Sequence, residues 1–375
     1  MDQEALREYL AGVLGERVEI VAVRPLGGQD AEGKDPKGLG YGVPFEVECR
    51  VGSDVRRLVV ARTRVAQGFG HEYPADRAWQ AIYGHAAYNG FPAHVRSVDV
   101  GFARRSGALV SAGDAAEFFQ LVEKANGRLY WLDLDRLLTE PMGDLDLARA
   151  RELGRFLARA HAVKRAEPTL YHRRIRELVG HGECLMGILD SYPHPCALLP
   201  PEACEALEHA AVSWRWRLRP RAHRLARVHG DFHPWNLLFR EGVDFSVLDR
   251  SRGEWGEPAD DVSALGINYL FFGLRKSCGR NAAPARPAGV ADPFPALFRA
   301  FLSEYLDASA DRELLEVLPP FLAFRALVVA HPRWYPTLEA PLRARLLRFA
   351  RDVMACAALS AESMLELLED RGDAV

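Results

Sequence analysis

The hydrophobic pattern of the sequence changes about one third of the way along the chain. Before residue 125, short apolar runs such as VEIVAVRPL, PFEVECRV and RRLVVARTR alternate with clusters of glycine, aspartate and proline. This is typical of β-strands joined by turns. Beyond residue 125, apolar residues recur at helical spacing, as in LDLARARELGRFLARAHAVK. The sequence therefore predicts an α+β fold with a β-rich N-terminal part, residues 1–124, and a mostly helical part, residues 125–375.

One main helix is expected within the N-terminal part. Residues 74–88, PADRAWQAIYGHAAY, place Ala78, Trp79 and Ile82 on one helical face. The segment begins with Pro74, whose missing N–H costs least in the first turn of a helix. We therefore predict a helix directly after the strands of the N-terminal sheet.

Composition narrows the class of protein. Of 375 residues, 49% are hydrophobic and 26% charged, which is enough for ordinary globular cores and suggests two domains. The net charge of −3 gives no overall attraction to nucleic acid or to an anionic membrane. The six cysteines form no CxxC pair, and neither a signal peptide nor an apolar run of about 18 residues is evident. We expect a cytoplasmic protein with small-molecule partners, either a monomer or a homodimer.

The segment VHGDFHPWN, residues 228–236, concentrates polar side chains in a few positions. It precedes LLFREGVDFSVLDRS, in which two apolar runs flank Glu241 and Gly242 and predict a β-hairpin. Such a hairpin can fold Asp249 back beside Asp231 and Asn236. Carboxylate and amide oxygens in that number suit Mg²⁺, which binds phosphate substrates with few protein ligands.

The spacing His229-x-Asp231-x-x-x-x-Asn236, followed by Asp249, resembles the catalytic segment of the aminoglycoside phosphotransferase family, which is similar in fold to protein and choline kinases. The resemblance implies a bilobal kinase-like fold. It also implies that Asp231 accepts the proton of the substrate hydroxyl, while Asn236 and Asp249 hold magnesium on the nucleotide. His233 and His229 belong to the same catalytic segment, where we expect them to support the loop by bonding backbone rather than to react.

The stretch GEWGEPADDVSAL after the metal aspartate strengthens this resemblance. In the family an acidic residue at the start of the following helix supports the catalytic loop, and either Asp260 or Asp261 matches it. Three further segments, LVEKANGRLYWLDL, YHRRIRELVGHGECLMGILDSYP and FRALVVAHPRWYP, also resemble bacterial members of the family, without a known role.

The nucleotide site departs from the kinase pattern at one position. Kinases carry a lysine on the third strand, paired with a helix carboxylate, whereas the candidate strand LVVARTR offers Arg62. Asp76 is the helix carboxylate that we expect beside Arg62, with Glu72 less favoured. The segment GKDPKGLGYGVPF before that strand supplies a candidate phosphate loop, and the connection between the lobes supplies backbone for adenine. The expected nucleotide-binding residues are therefore Gly38, Gly40, Gly42, Arg62, Asp76, Val122 and Ala125.

The leading hypothesis is a small-molecule kinase that transfers the γ-phosphoryl group of ATP, or GTP, to a hydroxyl of an aminoglycoside-like molecule, another sugar or an amino alcohol. Two alternatives stay open: a metal-dependent hydrolase, and a catalytically inactive nucleotide-binding module. A cationic acceptor would need an acidic pocket, and residues 276–295 could be either a lid or plain surface. The hydrolase would use His229, Asp231, His233 and Asp249, and weak candidates for the acidic pocket are Glu304, Asp307, Asp311 and Glu313.

Overall fold

The computed structural model describes residues 2–26, 42–65, 69–277 and 289–369. The chain divides into two compact units, Met1–Val122 and Glu123–Val375. The division lies close to residue 125, where the hydrophobic pattern of the sequence changes. Across the described ranges, no helix combines the length and the apolar composition needed to cross a membrane.

The first unit contains a three-stranded antiparallel sheet covered by a helix. Its strands are β1 (Val18–Pro25), β2 (Gly42–Val51) and β3 (Asp54–Thr63), in the order β1-β2-β3. Gly52, with φ of +58°, makes the tight turn between β2 and β3. Helix α1 (Gln3–Leu14) packs on the sheet, and the core between them consists of Leu6, Leu10, Val18, Val47, Cys49 and Val51.

Helix α2 (Pro74–Tyr88) follows the sheet, so the helix predicted at these residues is confirmed. Asp76 begins it by accepting a 3.0 Å hydrogen bond from the backbone N–H of Tyr73. The apolar face is not covered, since 67% of Trp79 and 64% of Tyr83 are exposed. A two-stranded ribbon, β4 (Gly101–Ala103) and β5 (Leu109–Ser111), completes the unit.

The second unit is mostly helical. Its helices are α3 (Tyr130–Arg136), α4 (Asp144–His161), α5 (Pro168–Gly180), α6 (Leu185–Asp190), α7 (Pro201–Leu218), α8 (Pro258–Ser277), α9 (Phe294–Ser309), α10 (Leu314–Ala330), α11 (Ala340–Met354) and α12 (Ala361–Glu366). Its strands are β6 (Arg128–Leu129), β7 (Ala226–Arg227), β8 (Leu237–Phe239), β9 (Phe245–Val247) and β10 (Trp255–Gly256). They form a three-stranded sheet, β6-β8-β9, and a pair, β10-β7. The protein thus mixes helices and strands, as the sequence predicts.

Helix α8 lies at the centre of the second unit. Most of its residues are buried, as expected of a helix surrounded by other helices. Helices α4 and α9 approach closely because of Gly154, where an added Cβ would lie 2.6 Å from the carbonyl oxygen of Phe301. Helix α8 also packs against α9 and carries Asp260 and Asp261 in its first turn.

The predicted β-hairpin is confirmed. Strands β8 and β9 pair antiparallel with Leu237 opposite Val247, and Gly242 adopts φ of +62° in the connection. The sequence did not indicate that Leu129 would pair with Leu238 and extend this hairpin to three strands. The hairpin places the segment after β9 next to the segment before β8.

Candidate active site

The catalytic segment runs from β7 through an irregular loop into a short 3₁₀ helix, Pro234–Asn236, and then into β8. Gly230 adopts φ of +89° in the loop. A Cβ at this position would lie 2.9 Å from the Cβ of Arg252, closer than real contacts allow. Only glycine therefore fits where the loop presses against residue 252.

Asp261 holds the loop from the first turn of α8. Its two carboxylate oxygens accept hydrogen bonds of 2.7 Å each from the backbone N–H groups of His229 and Gly230. The carboxylate is fully buried and also lies 3.1 Å from Nε2 of His161, whose Nδ1 lies 3.0 Å from the hydroxyl of Tyr305. Of the two aspartates that the resemblance allowed for supporting the loop, it is Asp261 that bonds its backbone.

The environment of Asp261 favours its charged form. Burial by itself raises the pKa of this carboxyl, but the hydrogen bond from His161 and the backbone N–H of His229 outweigh it and leave the pKa below its usual range. An ionised, fully bonded carboxylate is a rigid anchor. It fixes the backbone on which the candidate catalytic residues lie.

His229 bonds backbone with both ring nitrogens. Its Nε2 lies 2.8 Å from the carbonyl oxygen of Leu248, and its Nδ1 accepts a 3.2 Å hydrogen bond from the N–H of Asp231. These partners assign the ring proton to Nε2. His229 therefore joins this loop to the segment after β9.

Asp231 lies in an ion pair with Arg325, a residue on α10. Nη1 of Arg325 donates a 2.5 Å hydrogen bond to Oδ1 of Asp231. Nη2 of the same guanidinium donates to the carbonyl oxygen of Gly230 at 2.8 Å and to Oδ1 of Asp260 at 2.6 Å. Since Arg325 is only 4% exposed, one buried guanidinium fixes both the carboxylate and the loop backbone.

The other oxygen of Asp231 faces two more basic groups. Nε2 of His233 lies 3.5 Å away and Nε of Arg252 lies 3.9 Å away. Burial alone would raise the pKa of Asp231, but Arg325, the His233 hydrogen bond and Arg252 together hold it well below its usual range. For Asp260, burial and the neighbouring Asp261 outweigh Arg325, and the pKa is raised. Asp231 is thus the carboxylate of this pair that stays ionised most firmly.

Asn236 and His233 are tied to the same loop. Nδ2 of Asn236 donates a 3.1 Å hydrogen bond to the carbonyl oxygen of Asp231 and lies 3.4 Å from Nε2 of His233. Nδ1 of His233 accepts from the N–H of Trp235 at 3.2 Å. Because the amide nitrogen of Asn236 is held by the loop, its Oδ1 is the atom left to bind a cation.

Asp249 follows the hairpin at a point set by backbone pairing. The N–H of Leu248 donates to the carbonyl oxygen of Asn236 at 2.8 Å, which places Asp249 one residue beyond this bond. Asp249 adopts φ of +51°, a left-handed conformation that aspartate tolerates better than most residues, and its Oδ1 accepts from the N–H of Ser251 at 3.3 Å.

The described candidate nucleotide residues of the first unit lie on different elements. Arg62 lies on β3, with its guanidinium 5.7 Å from the ring centroid of Phe45. Asp76 caps α2, and Gly42 is the first residue of β2. Gly38 and Gly40 lie outside the described residues. Val122 ends the first unit, and Ala125 lies near the start of the second.

The weak candidates for an acidic acceptor pocket are all in ion pairs. Glu304 pairs with Arg155 at 3.0 Å, and Asp307 pairs with Arg312 at 2.9 Å. The other two, Asp311 and Glu313, both pair with Arg224. Carboxylates neutralised in this way do not supply the concentrated negative charge that a polycationic acceptor needs.

The metal-dependent hydrolase alternative does not fit the geometry. It requires His229 as a ligand, but both nitrogens of that ring already bond backbone. Among the residues that the structure describes, no group of three or more histidine, cysteine, aspartate or glutamate side chains is placed to hold a metal ion.

Arg325 is the site residue that the sequence reasoning missed. It is the one charged residue in the apolar run FLAFRALVVA of helix α10. A buried arginine is rarely left unpaired, so an isolated one in an apolar run indicates a buried carboxylate partner. The signal was present, although the partner could not be named from the sequence.

Comparisons with known proteins place this chain in a family. A comparison with curated proteins finds no match. Among solved structures, a glucosamine kinase in complex with glucosamine, ADP and inorganic phosphate matches at 23% identity with a TM-score of 0.39, over 57% of this chain and 56% of that chain. The match therefore covers little more than half of either chain.

Two further structures match over most of their length. A putative aminoglycoside phosphotransferase from Ralstonia eutropha JMP134 is 15% identical, with a TM-score of 0.38 and 98% of each chain covered. Choline kinase LicA from Streptococcus pneumoniae is 12% identical, with a TM-score of 0.35, over 94% of this chain and 98% of that chain.

The family model for the phosphotransferase enzyme family, APH, matches residues 49–282. The matched segment includes the loop that carries Asp231 and Asn236, the hairpin and the first turn of α8. Because it covers more than half of the 375 residues, the chain belongs to this phosphotransferase family.

Proposed function

We propose that this phosphotransferase moves the γ-phosphoryl group of ATP, or GTP, to a hydroxyl of a small polar acceptor, with Asp231 as the group that orients and deprotonates that hydroxyl. The observation that carries the proposal is the carboxylate of Asp231, which Arg325 holds on a loop that Asp261 anchors.

In the proposed reaction the acceptor oxygen attacks the γ-phosphorus in line with the leaving nucleoside diphosphate. A bond forms from the acceptor oxygen to phosphorus, and the bond from phosphorus to the bridging oxygen breaks. The hydroxyl proton moves to the carboxylate of Asp231. Since the lowered pKa makes Asp231 a weak base, its main contribution is to orient the hydroxyl, and the proton transfers late.

Asn236 and Asp249 are the residues that would hold Mg²⁺. The amide Oδ1 of Asn236 and the carboxylate of Asp249 are hard oxygen donors, and backbone pairing keeps the two residues close along the hairpin. When bound with the nucleotide, Mg²⁺ neutralises the charge that develops on the β- and γ-phosphates.

We further propose that, as in kinases, the N-terminal part of the chain binds the nucleotide and the C-terminal part binds the acceptor. Residues 1–124 form the nucleotide-binding lobe, in which Arg62, paired with Asp76, and the glycine segment ending at Gly42 steady the phosphates. Backbone from Val122 to Ala125 binds adenine. Residues 125–375 carry the catalytic loop and the acceptor site, and the protein acts in the cytoplasm as a monomer or a homodimer.

The first test is nucleotide-dependent thermal stabilisation, measured with ATP and GTP, each with and without Mg²⁺. Wild type, Asp231→Asn and Asp249→Asn are compared with Asp307→Asn, a surface control whose carboxylate pairs with the exposed Arg312. We expect Mg²⁺-dependent stabilisation in all but Asp249→Asn. Absence of stabilisation by either nucleotide in wild type would contradict the proposal.

Phosphoryl transfer to a panel of hydroxylated acceptors then tests the role of Asp231. We expect Asp231→Asn to lose transfer by about 10³-fold or more while it keeps nucleotide binding. Transfer at the wild-type rate in Asp231→Asn would remove the assignment of the base.

A further inference from the structure

Three large aromatic side chains form a cluster beside the catalytic loop, here called the aromatic platform: Trp131, Trp235 and Tyr335. The rings of Trp131 and Trp235 stack with centroids 6.0 Å apart and an interplanar angle of 14°. Tyr335 meets Trp235 edge to face at 6.1 Å. All three rings are partly exposed.

The platform lies next to the catalytic carboxylate. Trp235 is part of the catalytic segment, and its ring centroid is 5.9 Å from that of His233, which faces Asp231. The hydroxyl of Tyr335 is affected by the negative charge of Asp231. Burial raises the pKa of this hydroxyl, Arg275 opposes the rise, and Asp231 adds to it. The phenol therefore stays protonated and can donate a hydrogen bond near Asp231.

Packing alone does not account for the exposure of these rings. Phe271 and Phe272, which contact the platform from beneath, are 2% and 0% exposed. Those phenylalanines complete the core, whereas the platform rings above them keep part of their surface accessible. Partly exposed aromatic rings beside a few fixed polar groups are typical of small-molecule sites.

The charges around the platform are nearly balanced. Arg275 lies over the ring of Phe272 at 5.2 Å and pairs with Asp135 at 3.3 Å. On the other side of Asp231, Arg252 adds a positive group. The carboxylates considered for an acidic acceptor pocket are engaged in ion pairs elsewhere in the helical unit. This surface does not select a polycation.

We propose that the aromatic platform binds the acceptor, and that the acceptor is an uncharged, hydroxylated ring, a neutral sugar. Its apolar ring face lies on Trp131 and Trp235, its edge accepts a hydrogen bond from the hydroxyl of Tyr335, and one hydroxyl points to Asp231. The inference rests on the proposed phosphotransfer to a hydroxyl and adds the chemical class of the acceptor.

The test combines an acceptor panel with variants of the platform. ATP-dependent transfer is measured for neutral hexoses and disaccharides, for acyclic amino alcohols and for polycationic aminoglycosides. Trp131→Ala is the main variant, because Trp131 lies on α3, outside the catalytic loop. Trp216→Ala is the matched control, since Trp216 is 58% exposed on α7 and packs with Arg215 and Arg219.

We expect neutral sugars to be the preferred acceptors. Trp131→Ala should raise the KM for the sugar about tenfold, as expected for a lost ring contact, and Tyr335→Phe should raise it by a smaller factor. The KM for ATP and the nucleotide-dependent thermal stabilisation should stay at wild-type values in both, and Trp216→Ala should match wild type throughout.

Several results would overturn the inference and leave the proposed function intact. They are preferred transfer to aminoglycosides or amino alcohols, no transfer to any neutral sugar, or an unchanged sugar KM in Trp131→Ala. If wild type neither binds nucleotide nor transfers phosphate to any acceptor, the proposed function itself fails and this inference falls with it.

Discussion

Replacing Arg325 by methionine removes the positive charge that holds Asp231 and keeps a side chain of similar length in the apolar helix. In the native protein the guanidinium makes hydrogen bonds of 2.5 Å to Asp231, 2.6 Å to Asp260 and 2.8 Å to the carbonyl of Gly230. The variant leaves two neighbouring carboxylates without their shared cation. Since breaking a buried ion pair on one side costs ~3–5 kcal/mol, we expect the free energy of unfolding to fall by about that amount.

The same substitution should change the pH dependence of activity. The pKa of Asp231 in the folded protein is held below its usual range. The ionised carboxylate therefore stabilises the fold fully above about pH 3.9, the pKa of aspartate in the unfolded chain. This stabilisation is lost only as the pH falls further, towards the pKa in the folded protein. Without Arg325, burial opposes ionisation with only His233 and Arg252 left to counter it. The pKa of Asp231 should then rise, and as the pH is lowered kcat should begin to decline at a higher pH than in wild type.

Urea unfolding at pH 7.5 and kcat measured from pH 5 to pH 8 test both expectations. Arg312→Met is the matched control, because Arg312 is 66% exposed and pairs with the surface Asp307. If Arg325→Met does not fold, the double variant Arg325→Met, Asp260→Asn should recover part of the stability, since it removes one unpaired carboxylate. Wild-type stability together with a flat kcat profile in Arg325→Met would refute the reasoning.

Three further substitutions test the loop. Gly230→Ala should lower the free energy of unfolding by at least ~2 kcal/mol, because residue 230 has φ of +89° and its Cβ would press on Arg252. Gly242→Ala is the matched control: residue 242 has φ of +62° but open space around it, so the cost should be only ~1 kcal/mol. Both values are measured by urea unfolding. Asp261→Asn should lower the free energy of unfolding by ~3 kcal/mol in the same assay, because an amide oxygen can accept only one of the two backbone hydrogen bonds from the loop. The same variant should lower kcat at least tenfold. An unchanged kcat would mean that the loop holds its shape without this anchor.

The parts of the fold that the sequence predicted are those with local signals. The helix at 74–88 was recognisable from its proline start and its spacing of apolar residues, and the structure has the same bounds. The hairpin after Asn236 was recognisable from two apolar runs around Gly242. Both elements depend on neighbouring residues, so short-range patterns are sufficient to locate them.

Contacts between distant segments were not predictable in this way. Leu129 pairs with Leu238, more than a hundred residues further along the chain. Trp131 and Trp235, which lie close to these two residues in the sequence, stack on each other. The β6 segment has only two residues, too few for a strand pattern in the sequence. The aromatic platform therefore depends on tertiary pairing that no local rule predicts.

Arg325 has a local signal in the sequence, but its partners are distant residues. It suggests how buried charged residues at a site can be found. Its charge within FLAFRALVVA breaks the apolar pattern of α10, and charge in a buried helix is stable only when a partner neutralises it. That rule predicts a buried carboxylate partner without naming it. Asp231 and Asp260 are the partners because α10 packs against α8 and the loop, and this packing depends on the whole helical unit. A lone arginine in an apolar run of a phosphotransferase helix is therefore a residue to test for control of the proposed catalytic aspartate.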